Sequence, residues 1–324
     1  KLDVQLDVHP DGLQLQPADK SRRRAVYAGL EFKTWLSELG GLSGGDDKAK
    51  SPSVGYQVIF DQKALNRWIK RLQSAKLISV DTETTSLDPM QARIVGLSFT
   101  DRPCEAAYLP LGHDYAGAPD QLPLEDTLAQ LKPLLEDPTL PKVGQNLKYD
   151  RSVLLNHDIE LRGIRFDTML ESYVLDSTGS RHDMDTLSLK YLGLNPIRFE
   201  DVAGKGKKQL TFNQVPVETA APYAAEDADL VLRLHQTLYP RLKQFEKQCE
   251  LLENIEMPLL PVLSRIERTG VRVDSVMLAR QSSELSKRID TLEQQAFDQV
   301  GTDFNIASPK QIQELLFERL QLPV

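Results

Sequence analysis

Apolar residues follow two rhythms along this chain, and the rhythm changes near residue 247. From Tyr56 onward, short apolar runs alternate with longer amphipathic stretches. The pattern predicts a helix over 62–74, and the run Leu77-Ile78-Ser79-Val80 has strand length with polar flanks. Residues 94–100 and 106–111 are two more strand candidates, so closely spaced that the early sheet is expected to be antiparallel. A helix over 124–135, a short strand over 142–144, a helix over 148–156 and an edge strand at Arg165-Phe166 follow, with helices from Met169 on. Three strands and then alternating helix and strand predict an α/β fold, a mixed sheet with helices on its faces.

Beyond Lys247 the pattern is almost wholly helical. Residues 251–268 form an apolar-striped helix that Pro258 and Pro261 are expected to kink or interrupt, and Gly270 suits the position just past its end. A second long helix is expected over 275–300. Ser308 and Pro309 make an N-cap and first-turn pair that opens a last helix through Leu316. At the other end, residues 30–36 are compatible with a helix, and the Gly/Ser/Asp stretch 40–48 reads as a flexible linker. The first segment has too little apolar surface to be expected to fold alone. The chain is thus read as three parts, 1–55, 56–246 and an all-helical 247–324, with no internal repeat.

Composition narrows the class. With 324 residues, 40% hydrophobic and 27% charged, the chain has the make-up of a soluble globular protein. No apolar run reaches the roughly 20 residues that span a bilayer, and residues 1–7 do not resemble a secretion signal, so no membrane association is expected. Cys104 and Cys249 lie far apart without metal-ligand spacing, which fits a reducing cytoplasm. A net charge of −8 weighs against coating long stretches of duplex. It leaves room for a site that grips a short end through metal ions.

Three acidic motifs carry the candidate chemistry. Asp81 and Glu83 sit at i and i+2 on a strand end, so both carboxylates face one side. Like charges held that close repel unless a cation lies between them, and a hard divalent ion takes oxygen ligands. Taken alone, the pair also fits a capped turn beside a solvated glutamate. Asp150 falls in the first turn of its helix, where the helix dipole favours a carboxylate for structural reasons alone. Tyr223 and Asp227 are spaced i, i+4 on a helix and share a face, while Glu226 and Asp229 are expected in solvent.

In this order, Asp-x-Glu, a mid-chain Asp after Gln145-Asn146-Leu147-Lys148-Tyr149, and a late Tyr-x-x-x-Asp resemble the DEDD exonucleases of the ribonuclease H-like fold, in their tyrosine-bearing DEDDy branch. The likeness is closer still to the bacterial family A DNA polymerases, in residues 81–88, 143–151, 166–173, 181–185 and 223–229, and it continues through 254–267. It implies a proofreading 3′-5′ exonuclease that releases nucleoside 5′-monophosphates from single-stranded or frayed 3′ ends of DNA. It implies two Mg²⁺ ions, with Mn²⁺ or Zn²⁺ possible substitutes, about 4 Å apart. Asp81, Glu83 and Asp227 would hold one ion, Asp81 would bridge to the second, Asp150 would reach that second ion through water, and Tyr223 would orient the attacking water.

By the same resemblance Leu87 wedges and Phe199 stacks at the terminal bases, although core packing is an equal reading of both. Gln145, Asn146, Arg181, His182 and Met184 line the strand path. Lys205, Lys207 and Lys208, set among Gly204 and Gly206, read either as a solvated turn or as a phosphate contact. Histidines 9, 113, 157 and 235 are read as structural or surface residues. Residues 1–39 resemble the end of a 5′-nuclease domain. Those after 247 resemble the start of a polymerase thumb, so no nucleotide incorporation is expected from this stretch alone. A monomer in a bacterial cytoplasm, associated with the nucleoid and joined to the rest of a polymerase chain, completes the expectation. A non-catalytic binding module and an RNA-trimming relative are the rival readings. The retained acids weigh against the first and the helical tail against the second.

Overall fold

Strands β1 (Gln57–Val58), β2 (Ile78–Thr84), β3 (Ile94–Arg102), β4 (Glu105–Pro110), β5 (Lys142–Gly144) and β6 (Ile164–Asp167) form one mixed sheet in the order β1-β4-β3-β2-β5-β6. They belong to a computed structural model that describes residues 19–30, 32, 35, 39, 54–178 and 181–323. β2, β3 and β4 run antiparallel, as their short connections predict, while β5 and β6 continue the sheet in parallel beyond β2. β1, a parallel edge beside β4, was not expected: its two exposed residues carry no apolar alternation.

The pleat divides the strand residues between two cores. On one face Ile78 and Val80 of β2 pack with Leu97 and Phe99 of β3. Covering them is the helix Gln62–Gln73, whose buried Ala64, Leu65, Trp68 and Leu72 form one stripe, together with the helix Leu124–Leu135. Asp61 starts the first of these helices by accepting from Ala64 N at 2.9 Å. Full burial of each such large side chain contributes about 2 kcal/mol. On the other face Val95, Tyr108 and Val143 meet the long helix Val217–Leu242. Its first half turns Ala220, Ala221 and Ala224 inward, and these small side chains let the helix lie close to the sheet. Asp81 and Glu83 alternate with Val80 and Thr82, so they project on the side of that helix.

Helix Glu246–Leu251 runs on through a wider turn, Leu252–Glu256, closed by i→i+5 hydrogen bonds, into the helix Met257–Thr269. The expected interruption at Pro258 and Pro261 is not seen. The irregularity precedes Pro258, where the widened turn relieves the clash of a proline ring with the turn before it. Leu252, Met257 and Leu260 join the first core.

Two compact units divide at Arg268 and Thr269. In the second, Asp274 caps the helix Ser275–Val300 by accepting from Met277 N at 2.9 Å, and Ser308 caps Pro309–Gln313, with the last turns widened over Glu314–Arg319. A helix at Lys20–Gly29 was not foreseen, and the expected linker 40–48 and most of 30–36 lie outside the described residues.

Candidate active site

β2 and the helix Val217–Leu242 supply the centre of the site. β2 runs further than its apolar stretch suggests, because Asp81 and Glu83 remain in the ladder opposite Ser98 and Gly96 of β3. Their carboxylates meet that of Asp227 from the helix, with one ligand oxygen from each within 4.8 Å of the others. Glu83 and Asp227 are 9% and 7% exposed, so this is a desolvated acidic cluster rather than a surface patch.

Asp150 arrives from another direction. β5 pairs only with Ile78 and Ser79, which leaves the edge of β2 open from Val80 onward on that side. Asp150, in the first turn of the helix Leu147–Leu155, fills the gap: its Oδ1 accepts from Thr82 N at 3.0 Å and from Thr82 Oγ1 at 2.6 Å. Charge repulsion then couples Asp150 to Asp81 and Glu83.

The electrostatics follow from that crowding. Burial pushes the Asp81 carboxyl up to about 6. Burial, and then the charges of neighbouring acids, hold Glu83, Asp150 and Asp227 well above the usual carboxylate range. Glu83 Oε1 is buried and has no hydrogen-bond partner among the described residues. A divalent cation satisfies both conditions, neutralising the repulsion and taking up the orphan oxygen. An all-oxygen donor set suits hard Mg²⁺ or Mn²⁺ better than a thiophilic ion. The Tyr223 hydroxyl hydrogen-bonds Asp227, and burial together with the charges of Asp227, Glu83 and Asp81 raises its pKa, so it stays protonated.

The cluster lies in a cleft of about 970 Å³. Leu87, Gln145, Asn146, Arg181, His182, Met184 and Phe199 all line it. Leu87 is 95% exposed, which removes the core-packing reading, whereas Phe199 is half-exposed and packs its ring 6.4 Å from Phe212 and 6.3 Å from Tyr223. Gln145 is fixed by donating to the His182 carbonyl at 2.7 Å, and the His182 ring bonds Ser172 Oγ at 2.9 Å. Arg181 remains exposed, 3.2 Å from Asp183.

Several lining residues were not singled out from the sequence. Thr82 seats Asp150; Tyr149 hydrogen-bonds Thr84 and the Ser86 carbonyl; Met169 and Phe212 complete the wall. Thr82 stands between Asp81 and Glu83, Tyr149 directly before Asp150 and Met169 within 166–173, but spacing assigns none of them a role. The expectation for Asp229 fails: it is fully buried and accepts from Tyr56 Oη at 2.9 Å and Cys104 N at 2.6 Å, with Arg233 at 3.4 Å. Glu226 is likewise not free in solvent, since it accepts from Ile197 N at 2.7 Å. Tyr56, Cys104 and Ile197 come from distant segments, which no local spacing reveals; Arg233, four residues beyond Asp229, is the local exception. His113 and His235 are buried and hydrogen-bonded, to Tyr108 with Val215 and to Glu171 respectively, while His9 lies outside the described residues. Lys205 pairs with Glu200 on an exposed turn where Gly204 and Gly206 take φ of 80° and 68°.

The 3′-5′ exonuclease family model matches residues 56–243, and the DNA polymerase family A model matches residues 275–324. DNA polymerase I of Pseudomonas aeruginosa is 52% identical over 334 residues, covering 100% of this chain and 36% of that protein. DNA polymerase I of Rhizobium leguminosarum is 45% identical over 284 residues, covering 82% of this chain and 28% of that one. The POL domain of Pol1 from M. smegmatis, in complex with DNA primer-template and dNTP, matches with a TM-score of 0.67 over 83% of this chain and 41% of its own, and at 22% identity it supports the fold alone. The chain spans about a third of the length of the curated relatives it matches. No helix among the described residues is long and apolar enough to cross a membrane. A mixed sheet that gathers remote acids beneath one cleft, in a sequence matched over most of its sheet-bearing part, places the chain in the 3′-5′ exonuclease family of DNA polymerase I.

Proposed function

We propose that this chain removes nucleotides one at a time from unpaired 3′ ends of DNA, releasing nucleoside 5′-monophosphates, as the proofreading part of a DNA polymerase I. The observation that carries the reading is the meeting of Asp81, Glu83 and Asp227 within 4.8 Å, with Asp150 seated beside them on Thr82. Asp81, Glu83 and Asp227 are suited to hold one divalent ion. Asp81 and Asp150 together are suited to a second. Bound there, such ions supply Lewis-acid stabilisation of the phosphate and an acidified water.

The remaining work falls to the chain's own side chains. Tyr223, kept protonated by burial and by its acidic neighbours, donates its hydroxyl to Asp227 and keeps an acceptor lone pair with which to orient a water molecule there. Leu87 and Phe199 present apolar surface at the cleft for the last bases, where stacking grips a strand without sequence preference. Gln145, Asn146, Arg181, His182 and Met184 offer donors and apolar contacts along the strand. A site that accepts only unpaired ends favours mismatched termini, which fray more readily than paired ones.

On this reading the working units are 56–246 for hydrolysis and 247–324 as the start of a polymerase region, and residues 1–55 precede both. The setting is a bacterial cytoplasm with nucleoid DNA as substrate, and the chain works as a monomer.

The test is digestion of a labelled single-stranded oligonucleotide with Mg²⁺, with EDTA, and with Asp81→Ala or Asp227→Ala. EDTA should abolish hydrolysis and either substitution should lower it at least about a thousandfold, equal to roughly 4 kcal/mol of transition-state stabilisation. Near-normal turnover in either variant would refute the assignment.

A further inference from the structure

Asp167 ends β6 and does not line the cleft, yet it is 1% exposed and its carboxylate is occupied entirely by backbone donors. Oδ1 accepts from Asn146 N at 3.2 Å, Met169 N at 3.0 Å and Leu170 N at 3.3 Å, while Oδ2 accepts from Leu147 N at 2.8 Å. Two helices therefore begin on one side chain. For Thr168–Leu175, Asp167 is an ordinary N-cap. For Leu147–Leu155 the cap comes from elsewhere. The residue in the cap position, Asn146, takes a left-handed φ of 60° and its own side chain makes no capping bond. The orphan donors of that helix are satisfied instead by a carboxylate 20 residues further along the chain.

That first turn carries Asp150, three residues past the N–H held by Oδ2, and directly before it stand Gln145 and Asn146. We propose that Asp167 is a positioning residue for the exonuclease site. It fixes the height and rotation of the Leu147–Leu155 helix so that Asp150 lands on Thr82, within reach of the charge of Asp81. The inference rests on the reading of Asp150 as a metal-holding carboxylate. A displacement of about 1 Å at such a group is enough to cost orders of magnitude in rate.

Asp167→Asn separates the two jobs of the carboxylate. With the amide oxygen in the Oδ1 place, the bonds to Asn146, Met169 and Leu170 persist and the following helix keeps its cap. The amide nitrogen then faces Leu147 N–H, donor against donor, and the bond that Asp167 makes into the first turn of the Asp150 helix is lost while its bond to the cap residue Asn146 remains. Wild type, Asp167→Asn, Asp150→Asn and the double variant would be compared by calorimetric titration with Mn²⁺ in the absence of DNA, by single-turnover digestion of a single-stranded oligonucleotide, and by urea denaturation.

The expected result is a folded Asp167→Asn with weaker Mn²⁺ binding and a rate lowered at least about tenfold. The double variant should be no slower than Asp150→Asn to within about twofold, because a residue that acts through Asp150 has nothing left to act on. Wild-type Mn²⁺ binding and rate in Asp167→Asn, or losses that add in the double variant, would overturn the proposal. Full activity in Asp150→Asn would overturn the underlying reading of the site instead. Should Asp167→Asn fail to fold, Asp167→Ser keeps a hydroxyl cap for the following helix but is too short to reach Leu147, and the same outcomes apply to it.

Discussion

Leu87 sits on a turn held by hydrogen bonds alone, from Thr84 Oγ1 to Ser86 O at 3.1 Å and from Asp88 N to Ser86 Oγ at 3.1 Å. A leucine that is 95% exposed contributes nothing to the core. Leu87→Ala is therefore expected to leave the unfolding free energy from urea denaturation within about 0.5 kcal/mol of wild type. Loss of a base contact should still lower kcat/KM on a single-stranded oligonucleotide about tenfold. An unchanged kcat/KM would remove Leu87 from the substrate path. Phe199 would give no such separation, because its ring packs on Phe212 and Tyr223 and its loss disturbs both. A different residue-scale effect belongs to Glu171, fully buried with its Oε1 2.7 Å from His235 Nδ1. Burial pushes its carboxyl up to about 7, against the opposing hydrogen bond and charge of His235. The folded state thus holds the proton more tightly than the unfolded chain. The stability this contributes is complete below about pH 4.5 and disappears as pH rises through about 7. Glu171→Gln cannot titrate. Its stability relative to wild type should climb by roughly 3 kcal/mol across that window, as read from denaturation at successive pH values. A flat difference would show that Glu171 does not titrate there.

At the scale of elements, β3 owes its place beneath the site to one missing side chain. A Cβ at Gly96 would lie 2.3 Å from Tyr108 Oη and 2.4 Å from Tyr108 Cε2. Tyr108 cannot swing aside, because it is fully buried and bonded to His113 Nε2 at 2.7 Å. Gly96→Ala is expected to destabilise by about 2 kcal/mol or more and to lower the hydrolysis rate, since Gly96 is the ladder partner of Glu83. An unaltered denaturation midpoint and rate would contradict that packing. The elements themselves were largely legible in the sequence, because β2 to β4 and the flanking helices have apolar runs long enough for their period to speak. The common face of Asp81 and Glu83 was legible for the same reason, being a matter of i and i+2. What stayed hidden is tertiary. β1 has two exposed residues and no alternation. Asp229 looks solvated until Tyr56 and the Cys104 N–H arrive from other segments, and nothing local to Asp167 marks the second helix that starts on it. The widened turn at Leu252–Glu256 illustrates the same limit: proline announces an irregularity but not the turn that will absorb it.

For the molecule as a whole, the acidic cluster sets stability against function. Without a cation the fold holds four crowded carboxyls whose ionisation burial and mutual repulsion oppose. Each is easier to ionise in the unfolded chain, so this part of the stability is present at low pH and is lost as pH rises from the ordinary carboxylate value of 3.8 through their elevated range, Asp81's share being gone by about 6. A divalent ion reverses the account by binding the folded state alone, and at a hundredfold excess over its dissociation constant it adds about 2.7 kcal/mol. Protons compete for the same oxygens, so that increment should grow with pH. Asp227→Asn removes one of the like charges. In EDTA at pH 8 it should melt at a higher temperature than wild type, yet in Mg²⁺ it should gain little and melt lower, inverting the order. Calorimetry of both proteins, with and without the ion at pH 6 and pH 8, decides the matter. A wild type that melts at the same temperature in EDTA and in Mg²⁺ at both pH values would mean that these acids are not gathered to hold a cation.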